Sequence, residues 1–235
     1  MQPYNLYNRR RLIISADDFG ISPRANRNIR HLISLGKIDR IGIMIHGVFS
    51  EEEISKISKS TAKLDVHLDV LNEFGEDRRK RRGVLLRGLE FFCKFATRKL
   101  SLAKVEDDWK KQIDKFRQTF GKNPDGISSH EHVHLFPPFL KISLKLAKEY
   151  SIPYIRFGNS SFVLHKNPYS RILRWLKFMN HKKFQNSQFV SSESLVSLDW
   201  IKDLDNFLEN LPEGQTEIVC HPEIAEDFVK IKKYF

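Results

Sequence analysis

Two cysteines in 235 residues, Cys93 and Cys220, are too few and too far apart for a disulfide framework or a zinc thiolate cluster, and they fit a reducing compartment. Long apolar runs are missing too: none approaches the roughly 20 residues that span a bilayer, so no transmembrane helix is expected. Arg9, Arg10 and Arg11 lead only into Leu12-Ile13-Ile14, without the apolar stretch of a secretory signal, and a soluble, cytoplasmic protein is the expectation. Glycine (11) and proline (9) are scarce, which excludes collagen-like chains and long low-complexity linkers. What is present, 40% hydrophobic residues with 18 Phe, is enough for a globular core, and the length suits one large domain over residues 1–235.

Acidic residues are outnumbered, 29 against 40 Lys and Arg, giving a formal charge of +11. Such an excess favours contact with polyanions or an anionic membrane surface and says nothing of the fold. Two stretches concentrate it. Arg78-Arg79-Lys80-Arg81-Arg82 precedes the apolar residues of Val84 to Phe92, and Ser170 to Phe178 interleaves Arg171, Arg174 and Lys177 with Ile172, Leu173, Trp175 and Leu176. Each reads either as a basic amphipathic helix lying on a membrane or over a cleft, or as a core helix with an ordinary solvated face.

Strand-like apolar runs fall at Leu12 to Ser15, Ile41 to Ile45, Leu64 to Leu68, Gly126 to Ser129, Tyr154 to Phe157 and Glu217 to Cys220. Helical patterns at Pro23 to Leu35, Glu51 to Ser58, Val105 to Phe120 and Pro138 to Tyr150 alternate with them, which predicts βα units on a parallel sheet. Residues 71–104 and 158–195 do not fit such units and read as insertions over one end of the sheet. Asp17, Asp18, His67, His130 and His221 all lie at or just past the C-terminal ends of the predicted strands, where active sites of barrels converge. The fold class expected is therefore α/β, a TIM-like (β/α) barrel, irregular or incomplete.

The chemistry concentrates in Ser129-His130-Glu131-His132-Val133-His134, whose alternate imidazoles would share one face of a strand. Burying three imidazoles together is costly without a partner, and a divalent cation is an efficient one. Ala16-Asp17-Asp18-Phe19-Gly20 adds two carboxylates at a strand end, where the chain must turn if both are to face one site. One could hold metal while its neighbour acts as base; an ordinary strand-to-helix turn with an N-cap is the alternative. His67, taken alone, is either a ligand or a hydrogen-bonded core residue. His132 and His134 either orient a ligand or pack near substrate. Arg156 could hold the aspartate or the substrate through its donor fork, or be an ordinary surface arginine. His221, ahead of Pro222, is placed to act as a general acid or to steady an oxyanion.

These motifs, in this order and spacing from about residue 11 to 222, resemble the YdjC-like family of carbohydrate deacetylases. The resemblance implies a TIM-barrel-like fold, removal of acetyl from N-acetylated sugars, frequent homodimers, and one divalent metal, usually magnesium, with zinc, manganese or cobalt as alternatives. Carried over by motif, it implies Asp18, His67 and His130 as metal ligands, Asp17 as catalytic base and His221 as catalytic acid, the two aspartates being exchangeable in these roles. Arg156, His132 and His134 are the substrate-binding candidates. The chain departs from the family pattern at Arg40-Ile41-Gly42-Ile43-Met44-Ile45-His46-Gly47, at Asp65 and Asp69 around His67, and at Glu223 after His221-Pro222, all of which bear on the sugar contacts. The basic stretches extend the expectation to a lipid-linked or anionic carrier at the inner membrane surface. The rival expectation is a catalytically inactive barrel that binds polyanions or nucleic acid, although no zinc finger or RNP-like strand accompanies the charge.

Overall fold

Seven short stretches rich in apolar residues pair edge to edge in the computed structural model, which describes residues 9–70, 101–159 and 168–235. They are β1 (Leu12–Phe19), β2 (Arg40–Ile43), β3 (Lys63–Leu68), β4 (Gly126–Ser129), β5 (Tyr154–Ile155), β6 (Ser194–Ser197) and β7 (Thr216–Cys220). The sheet order is β5-β4-β3-β2-β1-β7-β6, and every pairing is parallel. In sequence this order runs round a circle that is interrupted between β5 and β6. At that gap the ladder is replaced by a single bridge: Ile155 N–H donates to Val190 O and Val190 N–H to Pro153 O, at 3.0 Å each. The architecture is an incomplete, TIM-like α/β barrel.

The helices cover the outer face, as parallel strands buried on both sides require. They are α1 (Pro23–Ser34), α2 (Glu51–Ser58), α3 (Leu102–Phe120), α4 (Pro137–Glu149), α5 (Pro168–Gln185), α6 (Leu204–Glu209) and α7 (Ala225–Tyr234). Local chemistry sets their ends. Ser22 caps α1 by accepting from Ala25 N–H, Ser50 and Glu53 form a capping box on α2, and Gly121 takes the left-handed conformation that stops α3. Between sheet and helices lies the apolar core: Ile14, Ile41, Val66, Ile127 and Ile218 from the strands meet Ile29, Trp109, Phe116 and Leu146 from the helices.

Two expectations are corrected here. The stretch 158–195, read as an irregular insertion, contains α5 and the start of β6, so a βα unit follows β5 as it follows the other strands. Its strand, Ser194-Leu195-Val196-Ser197, was not expected: it is four residues long, bounded by serines, and defined by its pairing with β7. Of the other expected insertion, residues 71–100 lie outside the described residues, as does the basic run Arg78 to Arg82; the part from Leu102 onward belongs to α3. Among the described residues, no helix is long and apolar enough to cross a membrane.

The inner face of the sheet is polar. Ser15, Asp17, Arg40, Asp65, His67, Ser128, Arg156 and Glu217 are all buried, and nearly all sit on strands at alternate positions. Arg40 donates to both carboxylate oxygens of Asp65, from Nε at 2.8 Å and a terminal nitrogen at 2.6 Å, and its guanidinium stacks 3.8 Å over the Tyr154 ring. Two of the departures from the family pattern, Arg40 and Asp65, thus form one buried ion pair. Gly126 makes room for it, since a Cβ there would lie 2.5 Å from the Arg40 guanidinium.

Candidate metal centre and active site

Successive strand residues point to opposite faces, so Asp17 and Asp18 should diverge. They do not, because the β1/β2 register slips between Ala16 and Phe19 and Asp18 adopts φ 67°, a bulge that turns its carboxylate back to the inner side. Gly20, at φ 103°, continues the turn, and its N–H donates to Asn26 Oδ1 at 2.7 Å.

His67 comes up from β3 beside this pair. Its Nε2 lies 3.4 Å from Asp18 Oδ1 and 3.8 Å from Asp17 Oδ2, while Nδ1 meets Ser128 Oγ at 2.8 Å. Ser128 is in register with His67 on β4. With a proton on Nδ1 directed at that hydroxyl, the Nε2 lone pair faces the carboxylates, the tautomer a metal ligand needs.

His130 is the first residue after β4, and its Nδ1 lies 2.9 Å from Asp18 Oδ1. Burial would lower its pKa, but the Asp18 carboxylate outweighs burial and holds it up at about 9. In turn, although burial would raise Asp18, His130 and His67 keep it well below the usual carboxylate range. One donor atom from each of Asp18, His67 and His130 lies within 4.8 Å of the others. A carboxylate oxygen and two imidazole nitrogens from three separate strand ends suit a divalent cation with positions left for water, so the residues fit the group the resemblance implies.

Asp17 has a different partner. Arg156 donates to its Oδ2 at 2.6 Å and its Oδ1 at 2.9 Å, and donates from Nε to Glu217 Oε1 at 2.7 Å. Glu217 is held from the other side by Ser15 Oγ at 2.6 Å and Tyr154 OH at 2.5 Å. Burial pushes Asp17 up, yet Arg156, followed by His67, brings it down to about 2. It is a fixed carboxylate, ionised at neutral pH.

The remaining sequence candidates separate. The histidine motif is not a strand: β4 ends at Ser129, and Glu131 and His132, both at φ 53°, wind residues 130–135 into a tight turn. Only His130 joins the carboxylates. His134 turns inward, is fully buried, and has both ring nitrogens engaged, Nδ1 with Ser129 Oγ at 2.6 Å and Nε2 with Arg156 O at 2.6 Å. Burial takes its pKa down to about 4, so it is a neutral brace between β4 and β5. His132 is buried with Nδ1 unpartnered among the described residues, and burial, with Arg156 nearby, drives its pKa well down. Arg156 is also wholly buried, and its fork holds the aspartate. His221 follows Cys220, which pairs with Ala16, so it sits at the strand end next to Asp17. Its backbone N–H donates to Asp227 Oδ2 at 2.8 Å, and its ring is close enough that a positive charge on it would lower the pKa of both Asp17 and Asp18. Glu217, Tyr154 and Ser128 were missed by the sequence reading; the trace they leave is a polar residue at alternate positions within otherwise apolar strands.

A family model described as YdjC-like protein matches residues 11–233. A carbohydrate deacetylase of Clostridium beijerinckii is 27% identical over 220 residues, covering 90% of this chain and 81% of that protein. A chitooligosaccharide deacetylase of Citrobacter koseri is 25% identical over 232 residues, covering 96% and 86%. A crystal structure of an Enterococcus faecalis protein named for cellobiose-phosphate cleavage superposes with a TM-score of 0.60 at 20% identity, over 89% of this chain and 80% of that one, and confirms the fold. With the model spanning every strand that contributes to the centre, from Asp17 on β1 to His221 after β7, the chain belongs to the YdjC-like protein family.

Proposed function

We propose that this protein is a metal-dependent deacetylase of N-acetylated sugars, free oligosaccharides or lipid-linked glycans, built as one barrel domain. The observation that carries the reading is the division of labour in the centre: Asp18 faces His67 and His130, whereas Asp17, its neighbour, is turned to Arg156. The relatives named for carbohydrate and chitooligosaccharide deacetylation support the substrate class. Asp18, His67 and His130 would hold the cation, with magnesium foremost and zinc, manganese or cobalt as alternatives. When bound there, a divalent ion lowers the pKa of water and polarises an acyl oxygen. Asp17 accepts the proton of the attacking water, its orientation fixed by the Arg156 fork, which also keeps it from swinging onto the ligands. His221, beside it at the end of β7, protonates the departing amine.

The test is acetate release from chitooligosaccharides by metal-stripped protein to which each cation is restored in turn. Asp17→Asn is expected to bind the cation as wild type does while losing about 100-fold or more in kcat, the scale of a lost general base. Unchanged turnover in that variant would overturn the base assignment. Metal-loaded wild-type protein that releases no acetate from free or lipid-linked N-acetylated sugars would overturn the deacetylase reading itself.

A further inference from the structure

Helix α5 buries one side and leaves the other unusually apolar. Leu173, Leu176, Asn180 and Phe184 face inward: Asn180 donates to Leu135 O at 2.7 Å, and Phe184 stacks on Phe157 with centroids 4.3 Å apart and planes 9° from parallel. Facing outward are Trp175, 59% exposed, and Phe178, 81% exposed, with Ile172 and Met179 beside them. At 100° per residue, Arg171, Trp175, Phe178 and Lys182 fall on one flank of the helix, opposite Leu173 and Asn180. The same helix carries Arg171, Arg174, Lys177, Lys182 and Lys183 and no acidic residue, within a chain of net charge +11.

From this surface we infer that α5 docks the protein on an anionic lipid bilayer. Solvent-exposed Trp and Phe flanked by Arg and Lys match the layering of a bilayer surface, where rings settle at the headgroup boundary and basic tips reach anionic phosphates. A second copy of the chain fits worse. A two-fold contact through this face would set Arg171, Arg174, Lys182 and Lys183 against the same four side chains, with no carboxylate on the helix to separate them. The opposite, inward side of the same helix braces the turn that begins at His130, through Asn180 and Leu135 O, so the docking helix is tied directly to the centre. This inference does not depend on the deacetylase reading: it concerns where the protein sits, whatever it hydrolyses.

The experiment is sedimentation of the full chain with vesicles of phosphatidylcholine alone or of phosphatidylcholine mixed with phosphatidylglycerol, at low and high salt, with tryptophan fluorescence recorded alongside. Binding is expected on the anionic vesicles only, weakened by salt, with a blue shift from Trp175. Trp175→Ser with Phe178→Ser should lower the bound fraction about tenfold, and Arg171→Glu with Lys182→Glu should do the same. Because these side chains point outward, thermal midpoints should match wild type, and any variant that unfolds is replaced by the single Phe178→Ser. Negligible binding to anionic vesicles would overturn the inference. So would equal binding by the double variants, which would place contact elsewhere on the basic surface, or Phe178-dependent dimers in light scattering, which would make a second copy the occupant.

Discussion

Arg156 is the side chain on which the centre most depends, because it answers two buried carboxylates at once. Removing it strands Asp17 and Glu217 with no cation to share, and breaking a buried pair from one side costs about 3–5 kcal/mol. Arg156→Ala is therefore expected to lower the thermal midpoint by several degrees and to release Asp17 from its fixed orientation, which denaturant titration and scanning calorimetry will register. Adding Glu217→Gln to that variant removes one of the two stranded charges. The double variant should be more stable than the single one, a coupling that an inert, surface-like arginine would not display. Ser15 and Tyr154 then retain a neutral partner in the glutamine, so the recovery reports on charge and not on lost hydrogen bonds.

At the scale of elements, the centre is made possible by glycines where strands approach each other's side chains. A Cβ on Gly42 of β2 would sit 2.6 Å from Asp17 Oδ1 and 3.1 Å from His67 Nδ1; one on Gly126 of β4 would meet Arg40 and Asp65 instead. Gly42→Ala should cost about 1–3 kcal/mol through overpacking and also weaken cation binding, while Gly126→Ala should cost a similar amount with a smaller effect on the cation. Calorimetric cation titration of the two variants separates these outcomes, and equal losses of affinity would mean that the Arg40–Asp65 pair and the cation centre are not independent. Much of this frame was readable beforehand. The longer apolar run of β1, and helices opened by Ser-Pro or a capping box, declare themselves locally, while the shorter β3 and β4 are marked by the turns and helices around them. The positions of Asp17, Asp18, His67 and His130 at strand ends followed from these. The turn after β4 did not. Alternating histidines imitate a strand, and although histidine enters the left-handed region more readily than most residues, nothing in Glu131 announces that conformation. Strand β6 was silent for the opposite reason: its pairing with β7, and not its own residues, makes it a strand.

For the whole molecule, a charged barrel interior ties stability to protons and to the cation. Asp17 is held at about 2 and Glu217 is also lowered, since in each case Arg156 and hydrogen-bonding partners overcome the upward push of burial. A carboxylate depressed in the folded state contributes stability that is fully present above its unfolded pKa, near 4, and is lost as pH falls through the folded value. Asp65 runs the other way: burial raises it against the pull of Arg40, so it opposes the trend without reversing it. The buried histidines act at higher pH: His134, lowered to about 4, and His132 lose their contribution as pH falls below about 6.5, and His130, raised to about 9, loses its contribution as pH rises from about 6.5 toward 9. The net expectation is a maximum near about pH 6.5 with a fall on either side that continues toward about pH 2 as the carboxylates protonate, seen as a declining denaturation midpoint. Cation binding adds an independent contribution. A ligand at about 100 times its Kd stabilises the folded state by about 2.7 kcal/mol, which for a chain of this length is a rise of roughly 5–10 °C in Tm. Stripped protein at neutral pH should gain this shift on adding magnesium, zinc, manganese or cobalt in proportion to affinity. His130→Ala and Asp18→Asn should lose it, whereas Asp17→Asn should keep it. A shift that survived in His130→Ala would place the cation away from these three strand ends.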